Sequence, residues 1–573
     1  MKTANRNGAQ MTTPAELFRT HRELIERAIQ AAADRDYWSA FPESPSKSVY
    51  GEEAAPAGEQ AFTSLLGKTF PIDVPGASGT VSTERSPFGL ELGVSYPKAD
   101  PLALVAAARA ATAAWRAAGP QGRAGVAVEI IKRINGRIYE MAHAVQHTTG
   151  QAFVMAFQAG GAHAQDRALE AVAYALAAAT RLPGDADWAK PQRGGDPLRL
   201  AKTSTVVGRG VGLVVGCTTF PTWNSYPGLF ASLVTGNPVI VKPHPGAILP
   251  LAITVQVARE VLTEAGLNPD VVTLAVEEPG DGIAATLATH PDVRIVDFTG
   301  SSEFGNWLEA NARQAVVYTE KSGLNTVVVD STDDYRGMLR NLAFSLSLYS
   351  GQMCTTPQNL MFPSGGIETD AGHRSADEFG ADLAAALDKL LGDPKRAAGT
   401  LGAIVNDGVL GRLAEAGTSA GVVHPSAEVA DDQWPGATIR TPVVVRLDAA
   451  DDKTYTREWF GPVSFLIATD STRHSLEIFV ETVRAHGALT AAVYSSSPEV
   501  IEAAREAALD AGVHLSENLN GGVFVNQTAA FSDLHGTGAN PAATASLTDD
   551  YFVAGRFFTL QSRHHVPAGE THA

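Results

Sequence analysis

Short apolar runs alternate with helix-length stretches through the middle of this chain, and that alternation restricts its fold more than any other feature. Four runs follow in quick succession: "VGLVVG" (211–216), "PVIVKP" (238–243), "VVTLAV" (271–276) and "VRIVDFTG" (293–300). Helical stretches lie between them, for example 249–265, closed by Gly266. Strands alternating with helices of this length predict a parallel sheet built from βαβ units. A second series follows: "NTVVVD" (325–330), a helix over about 333–349, "QNLMFP" (358–363), helix 376–391, "AAVYSSS" (491–497), helix 498–511 and "GGVFVNQT" (521–528). This predicts a second α/β domain, and 573 residues exceed what one core usually supports.

The flanks read differently. Thr13 as cap and Pro14 at the first position begin a helix over 13–39, with Leu17, Leu24, Ile25, Ala28 and Ile29 on one face. Residues 40–75, rich in Pro, Gly and Ser, read as an irregular extension, and a strand pair fits 78–96. Asp100 caps a long helix with Pro101 in its first turn, and further helices run to about 182. Residues 196–208 and 555–567 read as strands outside both α/β units.

Charge and cysteine content exclude several classes. The net charge of −18, from 44 Lys+Arg against 62 Asp+Glu, argues against a nucleic-acid partner, which needs basic patches. Two cysteines far apart make neither a disulfide framework nor a four-thiolate zinc site. The leading residues lack an apolar core of signal-peptide length, and no apolar run reaches the ~18 residues of a membrane span. The expectation is a cytoplasmic protein without a membrane partner.

The two cysteines are Cys217, in "VVGCTTFP", and Cys354, in "GQMCTTPQNL". A free cysteine taken alone is most often a small core hydrophobe. Cys354, however, is flanked by Gly, Gln and Thr at the end of a helical pattern, where a thiol is reachable. Glu320, in "VVYTEKSGLNTVVVD", lies between apolar runs, so it must be paired, hydrated at an edge or functional. Asn224, in "FPTWNSYP", follows a strand's C-terminal end, as an oxyanion donor would. Lys242 ends a neighbouring strand, where parallel α/β sheets bind ligands. Gly300 and Gly305 follow a buried strand and precede a helix, a turn whose amides can hold a phosphate, although it is not the G-x-G-x-x-G pattern. Glu458 and Phe460 sit in a Gly-Pro turn, "REWFGPV". Each feature has a bland structural reading; their order along the chain is the informative part.

Taken together, "PTWN", "VKP", "FTGSSEFG", "TEKSGLN", "GQMCTTPQN" and "EWFGP" resemble the aldehyde dehydrogenase superfamily over roughly residues 78–566. The stretch "CTTFPTWNSYPGLFASLVTGNPVIVKPHP" further resembles the semialdehyde dehydrogenases of bacterial phenylacetate degradation, the PaaN group. The resemblance implies an α/β fold with an N-terminal extension (1–75), a Rossmann-like cofactor domain (76–320), a catalytic domain (321–528) and a C-terminal segment (529–573). The strands at about 196–208 and 556–566 would form an oligomerisation pair in a homodimer or homotetramer. Cys354 would attack an aldehyde carbon, Asn224 and the Cys354 backbone N–H would hold the oxyanion, and Glu320 would activate water against the resulting thioester. Phe220, Trp223, Lys242, His244, Gly300, Ser301, Glu458 and Phe460 would bind the nicotinamide cofactor, and no metal is implied.

The PaaN-like stretch implies a CoA-linked semialdehyde from ring opening, without a fused hydratase domain. Two departures from the family pattern bear on these roles. Lys321 and Ser322 stand where the family usually has Leu-Gly after the glutamate, so the backbone around the base differs. Pro245 stands three residues after Lys242, where NAD-preferring members carry Glu. Without that carboxylate, and with His244 beside it, NADP is expected in preference to NAD.

Three rival readings are a CoA-acylating enzyme, which would not need Glu320, a catalytically silent binding protein, and a serine hydrolase through Ser419 in "GTSAG". The last lacks the strand that a nucleophile elbow requires. "NQT" at 526 would be a glycosylation sequon only in a secreted chain.

Overall fold

The computed structural model describes residues 12–567; residues 1–11, on which the expectation of no secretion signal partly rests, lie outside the described residues. Two parallel sheets organise the molecule. The first has five strands in the order Val272–Leu274, Val239–Lys242, Val211–Val215, Val293–Gly300, Val316–Lys321. The chain builds outward from Val211–Val215 first to one side and then to the other. The strand order therefore reverses there, and a crevice opens at the carboxyl ends, the usual ligand position in such sheets. Every residue of Val211–Val215 is buried, as the uninterrupted apolar run requires.

The second sheet has seven strands in the order Val422–His424, Val443–Asp448, Val463–Thr469, Asn359–Pro363, Thr326–Val329, Thr490–Tyr494, His514–Glu517. All pairs are parallel except the edge strand Val422–His424. Glu320 lies at the carboxyl end of a first-sheet strand, whereas Cys354 precedes Asn359–Pro363 and so lies at the amino end of the second sheet. The site forms where the two ends face each other. A third, antiparallel sheet stands apart, with Gly195–Gly208 flanked by Phe557–His565 and Asp185–Gln192. No described helix is long and apolar enough to cross a membrane.

Several elements depart from the sequence expectation. The first helix spans Pro14–Asp34 and stops short of 39, because Arg35 takes a left-handed conformation (φ 56°). A capping box between Thr13 and Glu16 starts it. The extension over 40–75 is not irregular throughout; it contains helices Lys47–Tyr50 and Ala54–Thr63. Leu17, Ile25, Ala28 and Ala31 belong to the same core as the first sheet, so the extension is part of that unit. The strand pair expected over 78–96 is Ala77–Val81 with Tyr96–Ala99. "GGVFVNQT" is not a strand: the sheet ends with His514–Glu517, and the chain turns away at Asn518 (φ 48°) and Gly521 (φ 71°). Val443–Asp448 and Val463–Thr469 are strands, which the sequence reading did not identify. Ser419 follows the helix Asp407–Gly417 with no strand before it, which removes the elbow context.

Candidate active site

Cys354 is held by an unusual bend. After the helix Tyr335–Ser347 the chain passes through Tyr349 (φ 53°), Ser350 (φ 49°) and Gly351 (φ 63°), all left-handed. For the non-glycine residues Tyr349 and Ser350 this costs about 1–3 kcal/mol each and persists only where the surroundings hold it. Tyr349 donates its hydroxyl to the Thr149 carbonyl, and Ser350 donates to the carbonyls of Leu401 (3.1 Å) and Arg440 (3.2 Å). Gly351 has no alternative, since a Cβ there would meet the Gly461 carbonyl oxygen at 2.3 Å. Past the bend, Asn325 Nδ2 donates to the carbonyls of Cys354 (2.8 Å) and Thr356 (3.0 Å). Its Oδ1 accepts from the N–H groups of Leu489 (3.0 Å) and Thr490 (3.1 Å). Asn325 therefore ties the cysteine loop to the second sheet with every polar atom used.

Glu320 reaches the same point from the first sheet. It is 1% exposed, and its Oε2 accepts from Asn224 Nδ2 at 2.9 Å. Asn224 is placed by the first turn of the helix Pro221–Val234, which starts at the crevice. Lys321 does not disturb this setting. Its ammonium turns under the helix Ser302–Asn311 and donates to Asn306 Oδ1 (2.9 Å) and Glu309 Oε1 (2.8 Å). Gly305 makes the room, because a Cβ there would lie 2.6 Å from the Lys321 side chain.

A third group, His535, was not anticipated from the sequence. Its Nε2 lies 3.1 Å from Glu320 Oε1, although the two are not aligned as a hydrogen bond. Ligand atoms of Glu320, Cys354 and His535 all fall within 4.8 Å of one another. The signal for His535 was slight: one histidine in "SDLHGTG", in a segment without periodicity.

The electrostatics set resting states. Burial alone would push the Glu320 carboxyl up; the His535 imidazole and the Cys354 thiol beside it and the Arg167 guanidinium more than offset it, leaving it below its ordinary value. The Cys354 thiol is pushed well up by desolvation and then by the Glu320 charge. At neutral pH the pair is thus a carboxylate beside a thiol, and the proton must leave the sulfur as it attacks. Cys217 Sγ contacts Asn224 Oδ1 at 3.8 Å, and desolvation pushes its thiol up to about 11.

Cys354 lies between two openings. On one side is a cavity of about 730 Å³ lined by Trp38, Phe220, Trp223, Phe344, Phe524 and others. Phe220 and Trp223, expected at the cofactor, face this cavity. The N-terminal extension supplies part of its wall: Trp38 packs edge-on against Phe531 (4.9 Å), and Ser39 donates to Asp166 Oδ2 (2.5 Å). A π-helical turn, Gln158–His163, forms another part, a distortion frequent at functional sites. On the other side is a narrow crevice with Ser322, Glu458 and Phe460 beside Cys354.

The remaining expected cofactor residues sit along the first sheet's carboxyl edge. Lys242 is buried and ion-paired with Glu277, which follows the strand Val272–Leu274. His244 uses Nδ1 to accept the Gly246 N–H (3.0 Å), so that nitrogen carries no proton. Gly300 ends its strand against the Phe298 ring, where a Cβ would fall 2.7 Å from it. Ser301 caps the helix Ser302–Asn311 by accepting the Phe304 N–H (3.3 Å). Glu458 Oε1 is buried without a partner, which fits a cofactor hydroxyl as its missing donor.

The aldehyde dehydrogenase family model matches residues 95–532. The chain belongs to the aldehyde dehydrogenase family. It is 57% identical to a crystallographically determined NAD-dependent aldehyde dehydrogenase from Burkholderia multivorans, with a TM-score of 0.94 over 96% of this chain and 99% of that one. Two curated aldehyde dehydrogenase-family relatives are more distant. The 1-pyrroline-5-carboxylate dehydrogenase of Bacillus subtilis (strain 168) is 27% identical over 343 residues, 57% of this chain and 62% of that protein. The N-succinylglutamate 5-semialdehyde dehydrogenase of Burkholderia lata is 28% identical over 323 residues, 53% of this chain and 62% of that protein. The match thus spans less than two thirds of these curated relatives' length. The aldehyde dehydrogenase fold accounts for the meeting of the two sheet ends at Cys354.

Proposed function

We propose that the chain oxidises an aldehyde to a carboxylic acid with NAD, through a thiohemiacetal and then a thioester on Cys354. The observation that carries this reading is the convergence of Cys354, Glu320 and Asn224 from two sheets onto one point between two openings. In the first step Cys354 Sγ bonds to the aldehyde carbon while its proton passes to Glu320, the carboxylate beside it. The new oxyanion takes hydrogen bonds from the Cys354 backbone N–H and from Asn224. The Asn224 amide has two donor hydrogens, so one remains after Glu320 is satisfied. A nicotinamide cofactor, when bound, accepts the hydride. Once the thiol's proton has passed from Glu320 to solvent, Glu320, a carboxylate again, serves as base for the water that opens the thioester.

The cofactor would lie along Lys242, Gly300 and Ser301, with its reactive end toward Glu458 and Phe460. NAD is favoured over NADP for two reasons. The 57% identical Burkholderia multivorans protein is NAD-dependent. In addition, Glu277 supplies at Lys242 the carboxylate that Pro245 withholds. A 2′-phosphate there would have to compete with Glu277 for the Lys242 ammonium, and His244 offers no compensating proton at Nδ1. For substrate class, the aromatic lining of the 730 Å³ cavity suits an aldehyde with a bulky apolar body. The CoA-linked semialdehyde suggested by the PaaN-like stretch would bring phosphates to a cavity whose exposed charges are Asp533 and the Glu43–His163 pair and whose one arginine, Arg167, is buried, which favours a substrate without them.

A stopped-flow trace with NAD and an aromatic aldehyde tests the reading. NADH is expected to appear at about one equivalent per site and to continue at steady state. Cys354→Ala should form none while still binding NADH, and Cys217→Ala should behave as wild type. Turnover surviving in Cys354→Ala would refute the mechanism, and acyl-CoA formed on adding CoA would point to the CoA-acylating alternative.

A further inference from the structure

We propose that His535 is the onward proton acceptor of the site, taking from Glu320 the proton that Glu320 removes from the hydrolytic water. This rests on the thioester reading above. Glu320 Oε1 and His535 Nε2 are both buried, lie 3.1 Å apart, and neither has an aligned hydrogen-bond partner among the described residues. Buried polar atoms are rarely left so without an unfilled role, and a water beside the pair could bond to both. Cys354 Sγ lies within 4.8 Å of both, so an acyl carbon one bond from the sulfur would border the same gap. A water there would touch the acyl carbon, the base and the imidazole together.

The groups around the Glu320–His535 pair come from four elements. They are Glu320 on Val316–Lys321, Cys354 on the loop before Asn359–Pro363, Trp223 and Asn224 on Pro221–Val234, and Arg167, stacked 4.7 Å over Trp223, on Ala164–Ala179. Asp533 lies two residues away on its own segment. Oε2 is turned to Asn224 and Oε1 to His535, so a proton taken up on Oε1 is presented to the imidazole.

The step balances as follows. The water oxygen bonds to the thioester carbon, and one water O–H bond breaks. Its proton goes to Glu320 Oε1 and then to His535 Nε2. Collapse of the tetrahedral adduct breaks the C–S bond, and Sγ leaves with the electron pair. The imidazolium proton returns through Glu320 to Sγ, restoring the thiol that desolvation favours.

Two variants separate this role from packing. His535→Asn removes the ring, whereas His535→Phe keeps an aromatic edge against Trp223, whose contact with His535 is 4.7 Å at 81°. In both, NADH binding, Cys354 alkylation and the NADH burst should persist, while steady turnover falls tenfold or more. Imidazole added to His535→Asn should restore part of the rate. Wild-type turnover in either variant, or equal loss of burst and turnover, would overturn the proposal. On the wild-type protein, deacylation in mixed H₂O and D₂O should depend on deuterium fraction as two protons in flight; a linear, one-proton dependence would also overturn it. Absence of any burst in the wild type would instead remove the thioester reading itself.

Discussion

At the scale of single residues, the site was legible where the chemistry needs a particular side chain in a particular order. Cys354, Glu320 and Asn224 announce themselves through their polar or small flanks at strand and helix ends, and the structure brings them together. Residues that act by holding others left weaker traces. Asn325 stands inside the quoted "TEKSGLN", yet its four hydrogen bonds join segments far apart in sequence. Glu277 is similar: one of two adjacent glutamates after a strand, it becomes meaningful only when folding sets it on Lys242. Replacing it tests that meaning. Glu277→Gln keeps the shape and removes the charge, and Ile283 N–H can still donate to the side-chain oxygen that it meets at 2.9 Å. The ratio of NADH to NADPH affinity should fall about tenfold, as expected if one charge contact of ~1.4 kcal/mol is lost. Equilibrium titration by nicotinamide fluorescence measures it; an unchanged ratio would place the ribose away from Glu277.

At the scale of elements, the first sheet could be read almost strand by strand, because its runs are apolar throughout and separated by clear helices. The second sheet was harder. Val463–Thr469 is fully buried, but it follows a Gly-Pro turn that drew the reading toward "EWFGP" as a motif rather than toward the strand beyond it. "GGVFVNQT" has strand-like composition, yet Asn518 and Gly521 turn it off the sheet, and Asn526 instead donates to the Ser345 carbonyl (3.0 Å). The bend over Leu348–Gly351 had no sequence signature beyond one glycine, and it aims the nucleophile. Gly351→Ala should therefore damage function more than folding. The added methyl would press on the Gly461 carbonyl at 2.3 Å and displace the Cys354 loop. A misplacement on the order of 1 Å can cost about 10²-fold in rate. We expect kcat/KM to fall by about that factor while NADH affinity holds, because the first sheet is untouched. Wild-type kcat/KM with an unchanged melting temperature would show that the bend does not aim Cys354.

At the scale of the whole molecule, the N-terminal extension and the third sheet are the parts that lie outside the catalytic and cofactor motifs. The extension joins the first core and reaches the substrate cavity through Trp38 and Ser39. The third sheet does neither. Its two outer strands are exposed almost throughout, and among the described residues Phe557–His565 has a strand partner on one side alone, Gly195–Gly208. Phe558 and Leu560, two residues apart and so on one face, are 49% and 57% exposed, and Trp188 and Leu198 add further apolar surface. An open edge with apolar side chains invites pairing with another chain unless something covers it. Between this sheet and the first helix lies a cavity of about 1180 Å³ that shares no lining residue with the Cys354 pocket. The coverage that best suits both is a second copy of the chain, in keeping with the dimer or tetramer expected from the strand pair. Leu560→Arg puts a charge on that face without touching the active site. Light scattering should find the wild-type chain as a dimer or larger and the variant shifted toward monomer. The single-turnover NADH burst should be unchanged, because no residue of the third sheet lines the Cys354 cavity. A wild-type chain that is monomeric at micromolar concentration would show that this sheet serves something other than self-association.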